Sequence, residues 1–321
     1  QKISTISKIY LKDAIERMHL SKKTVDDYQS THELFIFVLG EDKQIGNLTN
    51  NDLEFFYDNL THIPTARKSN ATYKDKSLLE LKQMQIPASH RQGITTRNKH
   101  FSRVRALLDF GIKKYSQSHG FTYNPATSVT TERDTVRAKD KRKEFERADL
   151  EKMFSTTYFT DHNWVKKQQK RRDAEPYRFW MYPLALLTGA RQAELLQLDR
   201  KDISSDENGI WYMDILEEID GETGEKIKST KNQNSIRKVP LSNILIDMGF
   251  IKFVQSGRST QLFPELKSKK DGKDTAQKFL NAQLKRWGIH EKHVKTFHSL
   301  RHNFVTQAIN NGIEARYIGG V

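Results

Sequence analysis

Along residues 5–19, apolar side chains recur every four positions, at Ile6, Tyr10, Ala14 and Met18, the spacing of one face of an amphipathic helix. A second helix is expected from Ser21 or Thr24, because Thr24 and Asp27 have the spacing of a capping box. Its apolar side is Val25, Tyr28, His32, Phe35 and Leu39, and Gly40 stops it. Thr49 can cap a third helix carrying Leu53, Phe56 and Leu60, which Pro64 ends. Residues 64–94 have no clear period and read as a long basic loop with a short helix at 76–84. From about Thr95 to Tyr115 the helical pattern returns. It buries Phe101, Val104, Leu108, Ile112 and Tyr115, with Arg97, Lys99, Arg103 and Arg105 on the other sides. These elements make a small all-helical domain over residues 1–125.

Residues 126–145 hold almost nothing apolar and are expected to be a linker, solvated or lying along a polyanion. A second domain is expected over 146–321. Its first strong element is the apolar helix 176–190, which tolerates Pro183 and ends at Gly189, followed by a short helix over Arg191–Leu198. Residues 209–216 read as a strand, and Lys226–Lys231 with Ser235–Leu241 read as a hairpin. Helices are expected at 241–255, 275–287 and 299–310, with Gly312 ending the last and another starting near Glu314. The expected fold class is mainly α: a helical domain, then a mixed α+β domain with one small antiparallel sheet.

Composition narrows the function classes. Apolar residues make up 36% of the 321, enough for packed cores. No apolar run approaches the ~18 residues needed to span a bilayer, and the N-terminus lacks the apolar stretch of a signal peptide. The expectation is a cytoplasmic protein, and a start at Gln1 rather than Met suggests part of a longer chain. With no cysteine, a disulfide scaffold, a thiol nucleophile and thiolate metal sites are excluded. The formal charge of +14 is uneven: residues 1–63 carry 7 basic and 10 acidic side chains, residues 64–120 carry 12 and 3. Such concentration points to an electrostatic footprint for phosphates and a polyanionic partner. A second basic run, Lys166, Lys167, Lys170, Arg171 and Arg172, is a further phosphate contact or a solvated loop.

Four local patterns carry candidate chemistry. In Thr188-Gly-Ala-Arg-Gln-Ala-Glu194, Arg191 and Glu194 share a helix face, so the carboxylate can orient the guanidinium. Lys231 precedes a strand ending Val-Pro-Leu241. In His298-Ser-Leu-Arg-His302, His298, Arg301 and His302 share another face. Asn124-Pro125 precedes the linker. Taken singly, each has a plainer reading: a surface ion pair, one lysine among 54 basic residues, a hydrogen-bonded helix end. The spacing of His298 and His302 would permit a metal, but no adjacent carboxylate completes a site.

In their order, Thr-Gly-Ala-Arg-x-x-Glu-Leu, a hairpin Lys before Val-Pro-Leu, and His-x-Leu-Arg-His together resemble the tyrosine recombinase (phage integrase) family, from about residue 145 onward. Lys23-Thr-Val-Asp-Asp-Tyr28, Leu48-Thr-Asn-Asn-Asp-Leu53 and Asn124-Pro125 resemble features of that family's helical core-binding domain. The resemblance implies a site-specific recombinase or integrase of a mobile element or prophage, bacterial or phage-encoded. Such an enzyme cuts and rejoins DNA through a 3′-phosphotyrosyl intermediate, with no metal or cofactor. It implies Arg191 and Arg301 on the scissile phosphate, Lys231 as general acid, His298 in proton transfer, and Glu194 and His302 as supporting residues. Arg97, Lys99, Arg103 and Arg105 become candidates for contact with double-stranded DNA. The implied partners are DNA, further copies in a tetrameric synapse, and DNA-bending accessory proteins, with no membrane. By family spacing, a further His falls about three residues past Val321 and the nucleophilic Tyr about a dozen past it. Tyr317 sits too early to replace it and reads as a half-buried helix residue. A non-catalytic DNA-binding relative and a type IB topoisomerase are the alternatives.

Overall fold

The computed structural model describes residues 1–119, 122–136, 142–160, 175–219, 221, 226–228, 235–267 and 272–318. Two units emerge, Gln1–Thr135 and Val136–Val321.

The first unit is helical: α1 (Ile3–Glu16), α2 (Lys22–Leu39), α3 (Asn50–Asn59), α4 (Leu78–Gln83) and α5 (Ile94–His119). Ser21 settles the start of α2, its hydroxyl accepting from the Thr24 backbone N–H at 3.3 Å, while Gly40 closes it at φ +95°. Thr49 and Asp52 form a reciprocal capping box at α3, and Ser77 and Glu80 form one at α4. The apolar faces of α1, α2, α3 and α5 meet in one core containing Ile6, Tyr10, Phe35, Phe56, Phe101 and Leu108. Residues 64–91 are less open than a loop reading suggests. Tyr73, Leu81 and Ile86 are buried, and the segment closes on itself where the Thr65 N–H donates to the His90 carbonyl at 2.9 Å.

Two expectations for this unit need correction. Residues 122–135 belong to the first unit rather than to a solvated linker. Ala126 and Val129 join its core, the Asn124 side chain donates to Asp109 at 2.7 Å, and the Glu132 N–H donates to the Tyr57 hydroxyl at 3.0 Å. The α5 cations are also not displayed outward as a row. Arg97 is 7% exposed and binds Glu132 through both terminal nitrogens, at 2.6 and 2.8 Å. Arg103 pairs with Asp27 at 2.8 Å, and Arg105 donates to the Ala126 carbonyl at 2.9 Å. Of the four cations expected to contact DNA, Lys99 is the one left exposed. A helix face flanked by Asp27 and by the strap at 124–134 gives its guanidiniums partners within the unit.

In the second unit, α6 (Arg147–Phe154) and α7 (Thr157–Thr160) precede the apolar α8 (Tyr177–Thr188) and the short α9 (Gln192–Leu196). The strands are β1 (Ile203–Ser205), β2 (Trp211–Ile215), β3 (Glu218–Ile219), β4 (Lys226–Lys228) and β5 (Arg237–Pro240). Helices α10 (Asn243–Asp247), α11 (Phe250–Ser256), α12 (Pro264–Lys267), α13 (Gly272–Arg286), α14 (Ser299–Asn310) and α15 (Ala315–Ile318) complete it. The helix expected at 241–255 is split at Gly249, whose φ of +86° starts α11 in a new direction. Helix α8 runs through the middle of the core. Tyr177, Met181, Tyr182 and Leu184 are fully buried on it, among Leu245, Phe250, Leu280 and Phe297.

The expected hairpin of Lys226–Lys231 with Ser235–Leu241 does not form among the described residues. Strand β5 pairs antiparallel with β2, Val239 opposite Met213, and β1 lies on the other side of β2. Strand β4 pairs instead with β3, Glu218 opposite Lys228. Burial drives the separation. Val239 and Met213 face the core, whereas Lys228, 3% exposed, must find carboxylates. It has Asp199 at 2.7 Å, Asp202 at 2.8 Å and Glu218 at 3.0 Å. Burial would lower the ammonium's pKa, and the three anions outweigh it and raise it.

Candidate active site

The turn between α8 and α9 builds the first part of the site. Helix α8 ends at Gly189, in the left-handed region at φ +63°. The Thr188 hydroxyl donates to the Leu184 carbonyl at 2.6 Å and accepts from the Ala190 N–H at 3.2 Å. Arg191 is then the N-cap of α9, and Glu194 accepts its backbone N–H at 2.9 Å and its guanidinium Nη1 at 2.6 Å. Glu194 is 3% exposed. Burial pushes its pKa up, but the Arg191 backbone N–H, Arg237 and the Arg191 guanidinium outweigh burial and hold the carboxyl below its ordinary value.

Helix α14 supplies the second part. Arg301 is buried, and its Nη1 donates to the Gly189 carbonyl. Burial pulls its pKa down to about 10, aided by repulsion from Arg191 and Arg237 and opposed by Glu194. It stays charged at neutral pH. These couplings bring Arg191, Glu194, Arg237 and Arg301 into one cluster. His298, at the start of α14, lies beside it. Burial lowers its pKa to about 4, and His302, Arg142, Arg301 and Arg191 lower it further, so the imidazole is neutral at pH 7. The His298 and His302 rings meet edge to face at 5.0 Å. His302 is also lowered, by burial, Arg142 and Arg301, against Glu144. Its buried Nε2 has no hydrogen-bond partner among the described residues.

Gly189 matters twice here. A Cβ on it would run into the Phe304 ring, and Phe304 lies one turn after Arg301 on α14. Gly189→Ala is therefore expected to destabilise the second unit by roughly 2–4 kcal/mol, combining left-handed strain with overpacking. Equilibrium unfolding in urea checks it; a wild-type midpoint would contradict this account of the turn.

Two residues of the cluster escaped the sequence reading. The Ser235 hydroxyl, fully buried, accepts from Arg191 Nη1 at 3.1 Å. Arg237 Nη2 donates to Glu194 at 3.0 Å. The signal was available: alternation along β5 turns Arg237 and Val239 to one side and Lys238 and Pro240 to the other. An arginine two residues before a core valine therefore points inward. Lys231 and the basic run Lys166–Arg172 lie outside the described residues. Tyr317 is 69% exposed, not half-buried. No group of three or more His, Asp or Glu positioned to hold a metal occurs among the described residues. No helix among them is long and apolar enough to cross a membrane.

The model of the phage integrase family matches residues 165–319. The second unit belongs to the phage integrase family. The match covers every motif that carried the resemblance in the second half of the chain: the Arg191 turn, the Lys231 segment and the His298–His302 helix start. Solved integrases share the fold over nearly the whole chain. Lambda integrase bound to DNA is 14% identical, with a TM-score of 0.59, over 100% of this chain and 92% of that one. The Tn1549 transposon integrase in complex with transposon right end DNA is 18% identical, with a TM-score of 0.57, over 98% and 90%. A lambda integrase tetramer bound to a Holliday junction is 14% identical, with a TM-score of 0.60, over 99% and 76%. No curated protein is a significant sequence match to this chain. Within the integrase domain, the cluster is a largely buried group of guanidiniums around Glu194, beside a neutral imidazole.

Proposed function

We propose that this chain is a site-specific DNA recombinase acting through a 3′-phosphotyrosyl intermediate, and that its first unit is a core-type DNA-binding domain. The observation that carries the reading is the charge of the pocket. Among the described residues, three guanidiniums around Glu194 leave an excess of positive charge, suited to the negative charge that builds on the nonbridging oxygens of a pentacoordinate phosphorus. Arg191 and Arg301 are the groups assigned to those oxygens. Guanidiniums suit the task because they stay charged when partly buried and donate in pairs.

As a tyrosyl oxygen attacks phosphorus, the bond to the 5′-oxygen breaks and that oxygen takes a proton. Lys231 is the proposed donor. His298, held neutral, can take the proton of the attacking phenol or accept a hydrogen bond at the phosphate. Glu194 fixes Arg191, and His302 packs against His298. A 5′-hydroxyl then reverses the step on the phosphotyrosyl bond, which conserves the phosphoester energy and needs no nucleotide cofactor. Assembly of several copies on DNA is proposed by analogy with the lambda integrase tetramer on a Holliday junction.

The test is covalent trapping. Full-length protein mixed with a nicked suicide duplex carrying the ends of its own element is expected to form a protein–DNA adduct at a 3′-phosphate, equally well in EDTA. DNA affinity should fall steeply with salt. Adduct formation that EDTA abolishes, or affinity indifferent to salt, would argue against the mechanism. Supercoil relaxation without strand exchange would favour the topoisomerase alternative.

A further inference from the structure

We propose that Arg237 is a positioning residue of the phosphate pocket: by sharing Glu194 with Arg191, it keeps the Arg191 guanidinium aimed at the phosphate instead of folded onto the carboxylate. This rests on the recombinase reading for its catalytic consequence.

The geometry is specific. Glu194 Oε1 accepts Arg191 Nη1 at 2.6 Å. Its Oε2 accepts the Arg191 backbone N–H at 2.9 Å and Arg237 Nη2 at 3.0 Å. The backbone bond anchors the carboxylate to α9, and Arg237 takes up the lone pair that a second Arg191 nitrogen would otherwise occupy. Arg237 is itself held, its Nη1 donating to the Ser235 carbonyl at 2.8 Å. The hydroxyl of the same Ser235 accepts from Arg191 Nη1 at 3.1 Å. Ser235, just before β5, and Arg237, its first residue, thus hold Arg191 from two directions, through a hydroxyl and through a shared carboxylate. Charge argues the same way. Glu194 and Arg191 alone would nearly cancel, and a neutral pair holds a phosphate poorly; with Arg237 the carboxylate is over-compensated and the pocket stays cationic. At 11% side-chain exposure, Arg237 is placed to act through Glu194.

The experiment is a double-mutant cycle in the full-length protein, using Arg237→Gln, Glu194→Gln and both together, with Arg237→Lys as a conservative partner. Single-turnover adduct formation at saturating suicide duplex is expected to slow 10–100-fold in Arg237→Gln, with DNA affinity changed less than threefold. Arg237→Lys should recover part of the rate. In the Glu194→Gln background, Arg237→Gln should cost less than a further threefold, because the residue acts through a carboxylate already removed. A near-wild-type rate in Arg237→Gln overturns the proposal. So do effects that multiply, which would make Arg237 an independent contact. Unfolding of the same four proteins reads the link without DNA: non-additive stabilities are expected, and additive ones overturn it. If the wild type forms no adduct while the stabilities are non-additive, the recombinase reading fails and the Arg237–Glu194 link stands.

Discussion

Replacing Arg301 with alanine is expected to slow adduct formation by at least about 10³-fold while DNA binding is largely retained. Loss of one preorganised donor to a developing oxyanion costs roughly 10²–10³ in rate. Arg301 carries more than one donor's worth of effect, because it is buried and pinned to the Gly189 carbonyl. Its position is set before substrate arrives, so no reorganisation is needed at the transition state. Arg301→Lys should recover little: an ammonium has no planar fork with which to hold the Gly189 carbonyl and a phosphate together. On the proposed reading Arg301 is one of many phosphate contacts, so DNA affinity should barely move. Single-turnover trapping beside a binding titration decides the matter, and equal losses of rate and affinity would mean that Arg301 serves binding alone. The pH profile adds a check. His298, lowered to about 4 by burial and its cationic neighbours, is neutral from pH 6 to 8 and contributes no inflection there. As pH falls towards 4 it gains a proton, the pocket loses its acceptor, and the rate should drop.

Removal of the buried ammonium at Lys228 should give the largest loss of stability. Lys228→Ala would leave Asp199 and Asp202 facing each other without their cation, and Glu218 with Lys201 alone at 2.8 Å. Stranding buried charge in this way costs about 3–5 kcal/mol. The loss should appear as a lower urea midpoint for the second unit. The sign with pH follows from the raised pKa. The pair's contribution is fully present below the ordinary lysine value and fades only as pH climbs through the higher folded value, so the wild type should hold this stabilisation constant from pH 6 to 9. A Lys228→Ala protein as stable as wild type would mean that water, not the ammonium, satisfies these carboxylates.

What the sequence revealed, and what it concealed, divides along physical lines. Helix ends were readable because capping is local: Thr49, Gly40 and Gly189 are each decided within one turn. The Arg191–Glu194 link was readable for the same reason, being a contact between residues three apart. Strand partners were not. Lys226–Lys228 and Arg237–Pro240 are near neighbours in the chain, yet their pairing is settled by Lys228 finding acids at 199, 202 and 218. Nothing near Lys228 in the sequence announces that. The fate of the α5 cations was hidden likewise, since Arg97 meets Glu132 and Arg103 meets Asp27 across 35 and 76 positions of chain. A count of basic residues shows where charge lies along the sequence, and tertiary pairing decides which of it still faces outward.

The strap at 122–135 changes how the protein should be taken apart. A first half severed at Pro125, where composition suggests a boundary, would lose Ala126 and Val129 from its interior. It would also leave Arg97, 7% exposed, without its counterion. A piece carried through to Thr135, the end of the first unit, keeps both, and its solution behaviour can be taken as that of the intact half.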